Sequence, residues 1–334
     1  MNRALKKYLA QGGSLGSLAK RPSKRPPTEA FPCEASDIFE KQVTSLITRL
    51  RRIEVNKVVI GISGGLDSTL CLLVVVEAFS RMGLSFDGIY ALTMPGFGTS
   101  KRTRGNAEIL CESLGVKIER ISIASATRRH LKAIGHDGTT SDVTYENAQA
   151  RIRTLILMNK ANLVGGIVLG TGDMSEIALG WCTYNGDHMS MFGVNAGVPK
   201  TIVRKVCLWW SERGCVPKRA AKTVQDIVAM PVSPELVKNQ VTEDAIGPYE
   251  LHDWFIWNFI VNGLDRRDLL REAKIWFKCK YDEKVIKKTL DIFLWRLVSQ
   301  AFKRNCQPDS IRVFDFDFSP SSWSIPSDIP KGIL

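Results

Sequence analysis

The sequence contains no apolar run near the roughly 18 residues that a membrane-crossing helix needs, which argues against an integral membrane protein. It contains no C-x-x-C pair and only four histidines. Its eight cysteines, at 33, 71, 111, 182, 207, 215, 279 and 306, show no ligand spacing to those histidines. Neither a structural zinc site nor a disulfide framework is therefore indicated. Cys71 and Cys111 sit inside apolar helical patterns and read as small core residues, and the whole set reads as reduced thiols of a cytoplasmic protein. The opening stretch MNRALKKYLAQGGSLGSLAKRPSKRPP lacks the apolar centre of a signal peptide, so secretion is not indicated. Acidic residues are also in short supply. Asp and Glu number 34 against 46 Lys and Arg, a net charge of +12. The excess falls largely in 3–25, 101–104, 128–132, 204–222 and 266–288. Such a surface suits nucleic acid or small polyanions such as nucleotides, but no zinc-finger spacing or RNA-binding aromatic motif supports the former.

A chain of 334 residues with 44% apolar residues can bury a full core. Residues 1–35 mix Gly, Ser, Pro and basic residues without apolar periodicity and read as a flexible leader. Beyond Ser36, a plausible cap, Phe39, Val43, Leu46, Ile47 and Leu50 share one helical face. Short β-branched or apolar runs at 57–62, 88–94, 116–123 and 166–170 predict strands. Between them, 68–82, 102–114, 126–134 and 143–164 predict helices. This alternation predicts an α/β fold, a doubly wound parallel sheet with helices on both faces. Residues 223–313 lose the strand signals and, with Trp254, Phe255, Trp257, Phe259, Trp276, Phe277, Phe293 and Trp295, predict a helical extension packed by aromatics. A Pro/Ser-rich irregular segment follows from 315, and 329–334 is a tail.

Between the first strand and the second helix lies Gly61-Ile62-Ser63-Gly64-Gly65-Leu66-Asp67-Ser68. Glycines let a backbone approach an anion closely, and the helix start beyond them offers unbonded N–H groups and the positive end of a dipole. Ser63 and Ser68 add hydroxyls. No G-K-[ST] follows, so this is not a Walker A loop, nor is it G-x-G-x-x-G. The S-G-G-L-D-S run resembles the pyrophosphate loop of the ATP pyrophosphatases, enzymes that cleave ATP between its α and β phosphates and form an adenylated intermediate. Asp67 beside phosphate calls for a bridging cation, and Mg²⁺ is the natural one.

A second segment narrows the resemblance. Residues 170–201, GTGDMSEIALGWCTYNGDHMSMFGVNAGVPKT, are similar to the signature of NAD synthetases, in the form found in the large glutamine-dependent enzymes. VTYENAQAR (143–151), PVSPEL (231–236), GPYELHDWF (247–255) and AFKRNC (301–306) resemble that family in the same order. The resemblance spans about 36–328 and implies an adenine nucleotide alpha hydrolase-like fold. It also implies ATP-dependent amidation of deamido-NAD to NAD, with release of AMP and pyrophosphate. By it, Gly61 to Ser68 and Thr171 bind ATP. Asn147, Glu176, Trp181, Cys182, Thr183, Tyr184 and Lys303 contact deamido-NAD, and Asp67 and Glu176 hold Mg²⁺. Asp187 and Lys200 join Asp67 and Glu176 as catalytic groups around the reacting carboxylate, ammonia and ATP.

Blander readings stand beside these. Trp181 and Tyr184 serve equally well as core aromatics, Glu176 as a helix-start acid, and Lys303 as a solvated charge. His188 and His252 read as structural. The segment 182–200, with Gly186, Gly193 and Gly197, reads as a mobile cover that keeps water from an acyl adenylate. Relatives with this signature carry an amino-terminal glutaminase domain that 35 leader residues cannot form, so the expectation is free ammonia, ammonia from a separate glutaminase chain, or a sequence that is a fragment of a longer protein. The resemblance further implies a homodimer. Another ATP pyrophosphatase amidotransferase or a tRNA-modifying ligase is the nearest rival, and a dinucleotide-binding protein without turnover is a second.

Overall fold

The computed structural model describes residues 31, 33–233, 236 and 241–327. The leader through residue 30 and the tail from 328 lie outside the described residues. Five strands, β1 (Val58–Gly61), β2 (Ile89–Thr93), β3 (Ile118–Arg120), β4 (Ile167–Gly170) and β5 (Phe192–Gly193), form one sheet in the order β3-β2-β1-β4-β5. Every pairing is parallel. Four strands lie where the short apolar runs predict them, the third shorter than its run. The fifth has no run of its own: its two residues pair with Leu169 and Gly170.

Both faces of the sheet are covered, which is why its strands read as continuous apolar runs rather than alternating ones. Val58 and Ile60 point into the larger core with α1 (Ala35–Arg52), α2 (Leu66–Met82), α3 (Lys101–Ser113), α7 (Lys200–Ser211) and α8 (Lys218–Val228). Val59, Leu92 and Val168 point to the other face. There, between α4 (Ala124–Ala133) and β4, the long α5 (Val143–Val164) lays down Ile152, Ile156 and Leu157. Helix α2 is sheathed along most of its length, from Leu66 to Phe79, and ends at Gly83 in the left-handed conformation that glycine permits.

The expected extension consists of α9 (Thr242–Ile246), α10 (Tyr249–Ile256), a π-helical turn (Trp257–Val261), α11 (Arg266–Trp276), α12 (Glu283–Ser299) and α13 (Ala301–Arg304). Trp254, Phe255 and Phe293 are buried in its core. Three expectations need correction. Ser36 is not the cap of α1: Glu34 holds that position, without a side-chain hydrogen bond. Nor is all of 182–200 a loose cover, because Phe192 to Lys200 are buried and include β5. Phe31, assigned above to the leader, is fully buried against Trp257 and Phe314, each ring centroid 5.0 Å away. The packed chain therefore reaches back at least to Phe31. No described helix is long and apolar enough to cross a membrane, and all eight cysteines are free.

Candidate active site

The chain builds β1, β2 and β3 outward in one direction and then returns to lay β4 on the opposite side of β1. That reversal opens a crevice beyond the carboxyl ends of β1 and β4, where open parallel sheets bind ligands. Both sequence motifs emerge there.

From β1 the chain enters the glycine loop. Gly64 adopts φ +86°, and a Cβ on it would lie 2.0 Å from the carbonyl oxygen of Thr103, so only glycine fits. Gly65 starts α2 without a side-chain cap, leaving the first-turn amides available to an anion. The Ser63 and Ser68 hydroxyls lie 3.1 Å apart, and the Gly65 amide donates to Ser63 Oγ at 3.1 Å. Ile62 and Leu66 bury their side chains in the core, so at this loop they offer backbone only.

From β4 the chain passes Thr171 and enters α6 (Met174–Leu179). Asp173 caps this short helix: Asp173 Oδ1 accepts the Glu176 amide at 2.8 Å, and Glu176 Oε2 accepts the Asp173 amide in return. The two strand ends are tied together by Asn195, fully buried, whose Nδ2 donates to Asp67 O at 2.8 Å and to Thr171 O at 3.0 Å.

Lys200, at the first position of α7, sends its ammonium into this junction. Nζ lies 2.6 Å from Asp67 Oδ2, 2.9 Å from Asp173 Oδ2 and 3.0 Å from Glu176 Oε1. Burial opposes the charge of Lys200, but the carboxylates of Asp173, Asp67 and Glu176 together outweigh it and hold the lysine protonated well above its ordinary range. Burial likewise pushes Asp173 and Glu176 up from the usual carboxylate range, against the pull of Lys200.

A family model described as NAD synthase matches residues 38–304. The chain belongs to the NAD synthase family. It is 38% identical over 333 residues to a glutamine-dependent NAD(+) synthetase of Mycobacterium leprae, covering 89% of this chain and 48% of that protein. A Mycobacterium bovis protein of the same name is 36% identical over 332 residues, again covering 89% of this chain and 48% of the relative. The chain thus spans about half the length of these curated relatives. The solved structure of a glutamine-dependent NAD(+) synthetase from Cytophaga hutchinsonii superimposes with a TM-score of 0.68 at 18% identity. It covers 88% of this chain and 54% of that one, a likeness of fold. The family match sets aside a tRNA-modifying ligase as the reading of this chain.

Within this NAD synthase-family chain, the expected residues fall into two groups. Asp67, Glu176 and Lys200 meet directly, joined by Asp173, which sequence reasoning passed over although D-x-x-E at 173–176 is a visible capping pattern. The second group lies along 181–187 and α5. Thr183 donates its hydroxyl to Asn147 Oδ1 at 2.8 Å and its amide to Asp187 Oδ1 at 2.8 Å. Asp187 itself is exposed and does not touch Lys200 through any ion pair among the described residues. Tyr184 stacks on His188 at 5.3 Å and contacts Cys306 Sγ through its hydroxyl at 3.5 Å.

Three cations of the extension grip the end of α6. Arg304 donates to Ala178 O at 2.8 Å, Arg296 to Leu179 O at 2.8 Å, and Lys303 to Gly180 O at 2.8 Å and Cys182 O at 2.6 Å. The first three, of Ala178, Leu179 and Gly180, are carbonyls a helix end leaves unbonded, and cations there complement its dipole. Lys303 is therefore not a solvated charge; it shapes the turn that carries Trp181 to Tyr184. Trp181 is half-buried, with the Arg296 guanidinium 4.9 Å above its ring.

The acidic groups also fit a hard cation. One oxygen each of Asp67, Asp173 and Glu176 lie within 4.8 Å of one another, and Asp67 Oδ1 is buried without a hydrogen-bond partner. An all-carboxylate set with a spare oxygen matches the donors that Mg²⁺ prefers.

Proposed function

We propose that this chain amidates deamido-NAD, activating the nicotinate carboxylate with ATP and passing the acyl group to ammonia, with release of AMP and pyrophosphate. The observation that carries this reading is the meeting of Asp67, from the phosphate loop, with Glu176 and Asp173 around the Lys200 ammonium. An anion-binding loop and the family's 170–201 segment converge on one point.

A carboxylate is a poor acyl donor and must first displace pyrophosphate from the α phosphorus of ATP, giving a mixed anhydride with AMP. The amides and hydroxyls of Gly61 to Ser68, with Thr171, bind the phosphates. Lys200 stabilises charge that develops on the phosphoryl oxygens, so that positioning and electrostatics supply most of the acceleration. Asp67, Glu176 and Asp173 would hold Mg²⁺, which when bound neutralises the departing pyrophosphate. Asn147, Glu176, Trp181, Cys182, Thr183, Tyr184 and Lys303 form the deamido-NAD side, and the Asp187 carboxylate holds the incoming ammonium and takes its proton, so that neutral ammonia attacks. We place the synthetase domain at 36–328, with 223–313 as its helical extension, in a cytoplasmic homodimer. Leu155 and Leu163, exposed on α5, offer apolar surface for that pairing. Ammonia reaches the site free or from a glutaminase activity.

The test is turnover by the purified chain with ATP, Mg²⁺, deamido-NAD and either ammonium or ammonia-free glutamine. NAD, AMP and pyrophosphate are expected in equal amounts, with the ammonium rate rising with pH as neutral ammonia increases. Asp67→Asn should remove most of the rate with the fold intact, by roughly the 10²–10³ that loss of a charge-stabilising group produces. Release of ADP instead of AMP, or full activity in Asp67→Asn, overturns the reading.

A further inference from the structure

We infer that Tyr249 and Asp253 of α10 are positioning residues for Lys200, so that the helical extension completes the phosphate side of the site. The inference rests on the functional reading above, which gives Lys200 its task.

Helix α7 begins at Lys200 behind Pro199, which supplies no side-chain cap. The missing cap comes from another element. Asp253, fully buried, accepts the Thr201 amide at 2.9 Å and the Thr201 hydroxyl at 2.6 Å on Oδ2. Its Oδ1 accepts the hydroxyl of Ser175. Ser175 Oγ in turn accepts the Lys200 amide at 2.9 Å. One carboxylate thus fixes the backbone on which Lys200 stands and the residue immediately before Glu176. Moving Asp253 would shift the cation and one of its carboxylate partners together.

Tyr249 acts on the other end of the lysine. Its ring lies with the centroid 5.2 Å from Lys200 Nζ, and the residue is 2% exposed. The ammonium donates hydrogen bonds to Asp67 and Glu176, Asp173 Oδ2 lies 2.9 Å away as an ion-pair partner, and the ring covers a remaining side. An aromatic face attracts a cation without adding a further acceptor, so it holds Nζ in place yet leaves its N–H groups able to turn from carboxylate to phosphate. The phenol oxygen takes no part: it is buried with no hydrogen-bond partner. The helix that carries both residues is itself fixed, since the Tyr249 amide donates to Glu243 Oε1 at 2.8 Å. Gly247, at φ +91°, packs so closely on Thr289 that a Cβ would come within 2.4 Å of its hydroxyl.

The experiment compares the full chain with Tyr249→Leu, Tyr249→Phe and Asp253→Asn. Its two readouts are steady-state kinetics and ¹H–¹⁵N spectra of the lysine ammonium groups, with the Lys200 signal assigned through Lys200→Met. We expect a Lys200 ammonium signal protected from exchange and shifted upfield by the ring. That shift should vanish in Tyr249→Leu and return in Tyr249→Phe. Tyr249→Leu should lower kcat about 10- to 30-fold, and Asp253→Asn by about 10²-fold, with KM for deamido-NAD changed by less than about threefold. Tyr249→Phe should recover most of the rate lost in Tyr249→Leu. Wild-type kcat in Tyr249→Leu, equal loss in the Phe and Leu variants, or an unshifted Lys200 signal in the wild-type chain overturns the inference. If the wild-type chain makes no NAD, the functional reading fails, while the spectra still decide whether the ring holds the lysine.

Discussion

Replacing Lys200 with Met isolates what its ammonium does for the folded chain. Each contact to Asp67, Asp173 and Glu176 is 2.6 to 3.0 Å long. At an effective dielectric constant of about 20, each is worth roughly 6 kcal/mol of attraction. The carboxylate oxygens lie within 4.8 Å of one another, so each like-charged pair repels by about 3 kcal/mol or more under the same assumption. Met removes the attraction and leaves the repulsion in a pocket where Lys200 is 2% and Asp173 0% exposed. The loss is bounded because the carboxyls can take up protons, and breaking a buried pair by deleting one partner typically costs about 3–5 kcal/mol. The sign with pH follows from that uptake. In the variant, carboxyl pKa values in the folded state stand above their unfolded values, so the folded chain binds more protons and loses stability as pH rises. Lowering pH from 8 to 6 should return about 2.7 kcal/mol for each proton taken up. Mg²⁺ should stabilise Lys200→Met more than the wild-type chain, because it meets uncompensated carboxylates. Urea unfolding followed by circular dichroism at both pH values, with and without Mg²⁺, reads all of this. Equal stability of the two proteins at pH 8 without metal, or no response of the variant to pH or Mg²⁺, would refute the electrostatic argument.

Two further outcomes test other parts of the structure. His252 is fully buried, and burial lowers its pKa to about 4. The unfolded chain therefore binds the extra proton between the ordinary value of 6.5 and about 4, and stability should fall through that window as pH drops, by up to about 3 kcal/mol. His252→Gln, which keeps a donor for Ile246 O, should flatten this slope in pH-dependent melting; an unchanged slope contradicts the assignment. Gly64→Ala should displace the phosphate loop, because its φ is unfavourable and its Cβ meets the Thr103 carbonyl. ATP affinity should fall at least tenfold by calorimetry, and wild-type binding would mean that the loop is not the phosphate site.

The parts of the fold legible in the sequence were those with a local cause. Buried strands such as 58–61 carry β-branched apolar residues because both faces of the sheet are covered, and Gly64 marks a turn that no other residue could make. What escaped notice depends on neighbours distant in sequence. β5 is two residues long and exists because Leu169 and Gly170 lie beside it. Asn195, Ser175 and Asp253 look unremarkable in a linear reading, since each gains its role only when strands β1 and β4 and helix α10 come together. Lys303 stands out through resemblance alone, and only the folded chain turns it toward the carbonyls at 180 and 182.

The grip of Arg296, Lys303 and Arg304 on the end of α6 has a consequence for how this chain can be divided. A helix of six residues has almost no stability in isolation, and the carbonyls that finish it are bonded by side chains more than 100 residues further on. A fragment ending before residue 296 would retain the whole sheet, the glycine loop and every carboxylate around Lys200, yet the turn from Gly180 to Tyr184 would lose what shapes it. The extension is thus not an appendage that recombination could exchange for another helical module, nor one that a protease could trim without harm. A nick in the loop before α12 should leave a particle that still binds ATP while losing its hold on the second substrate.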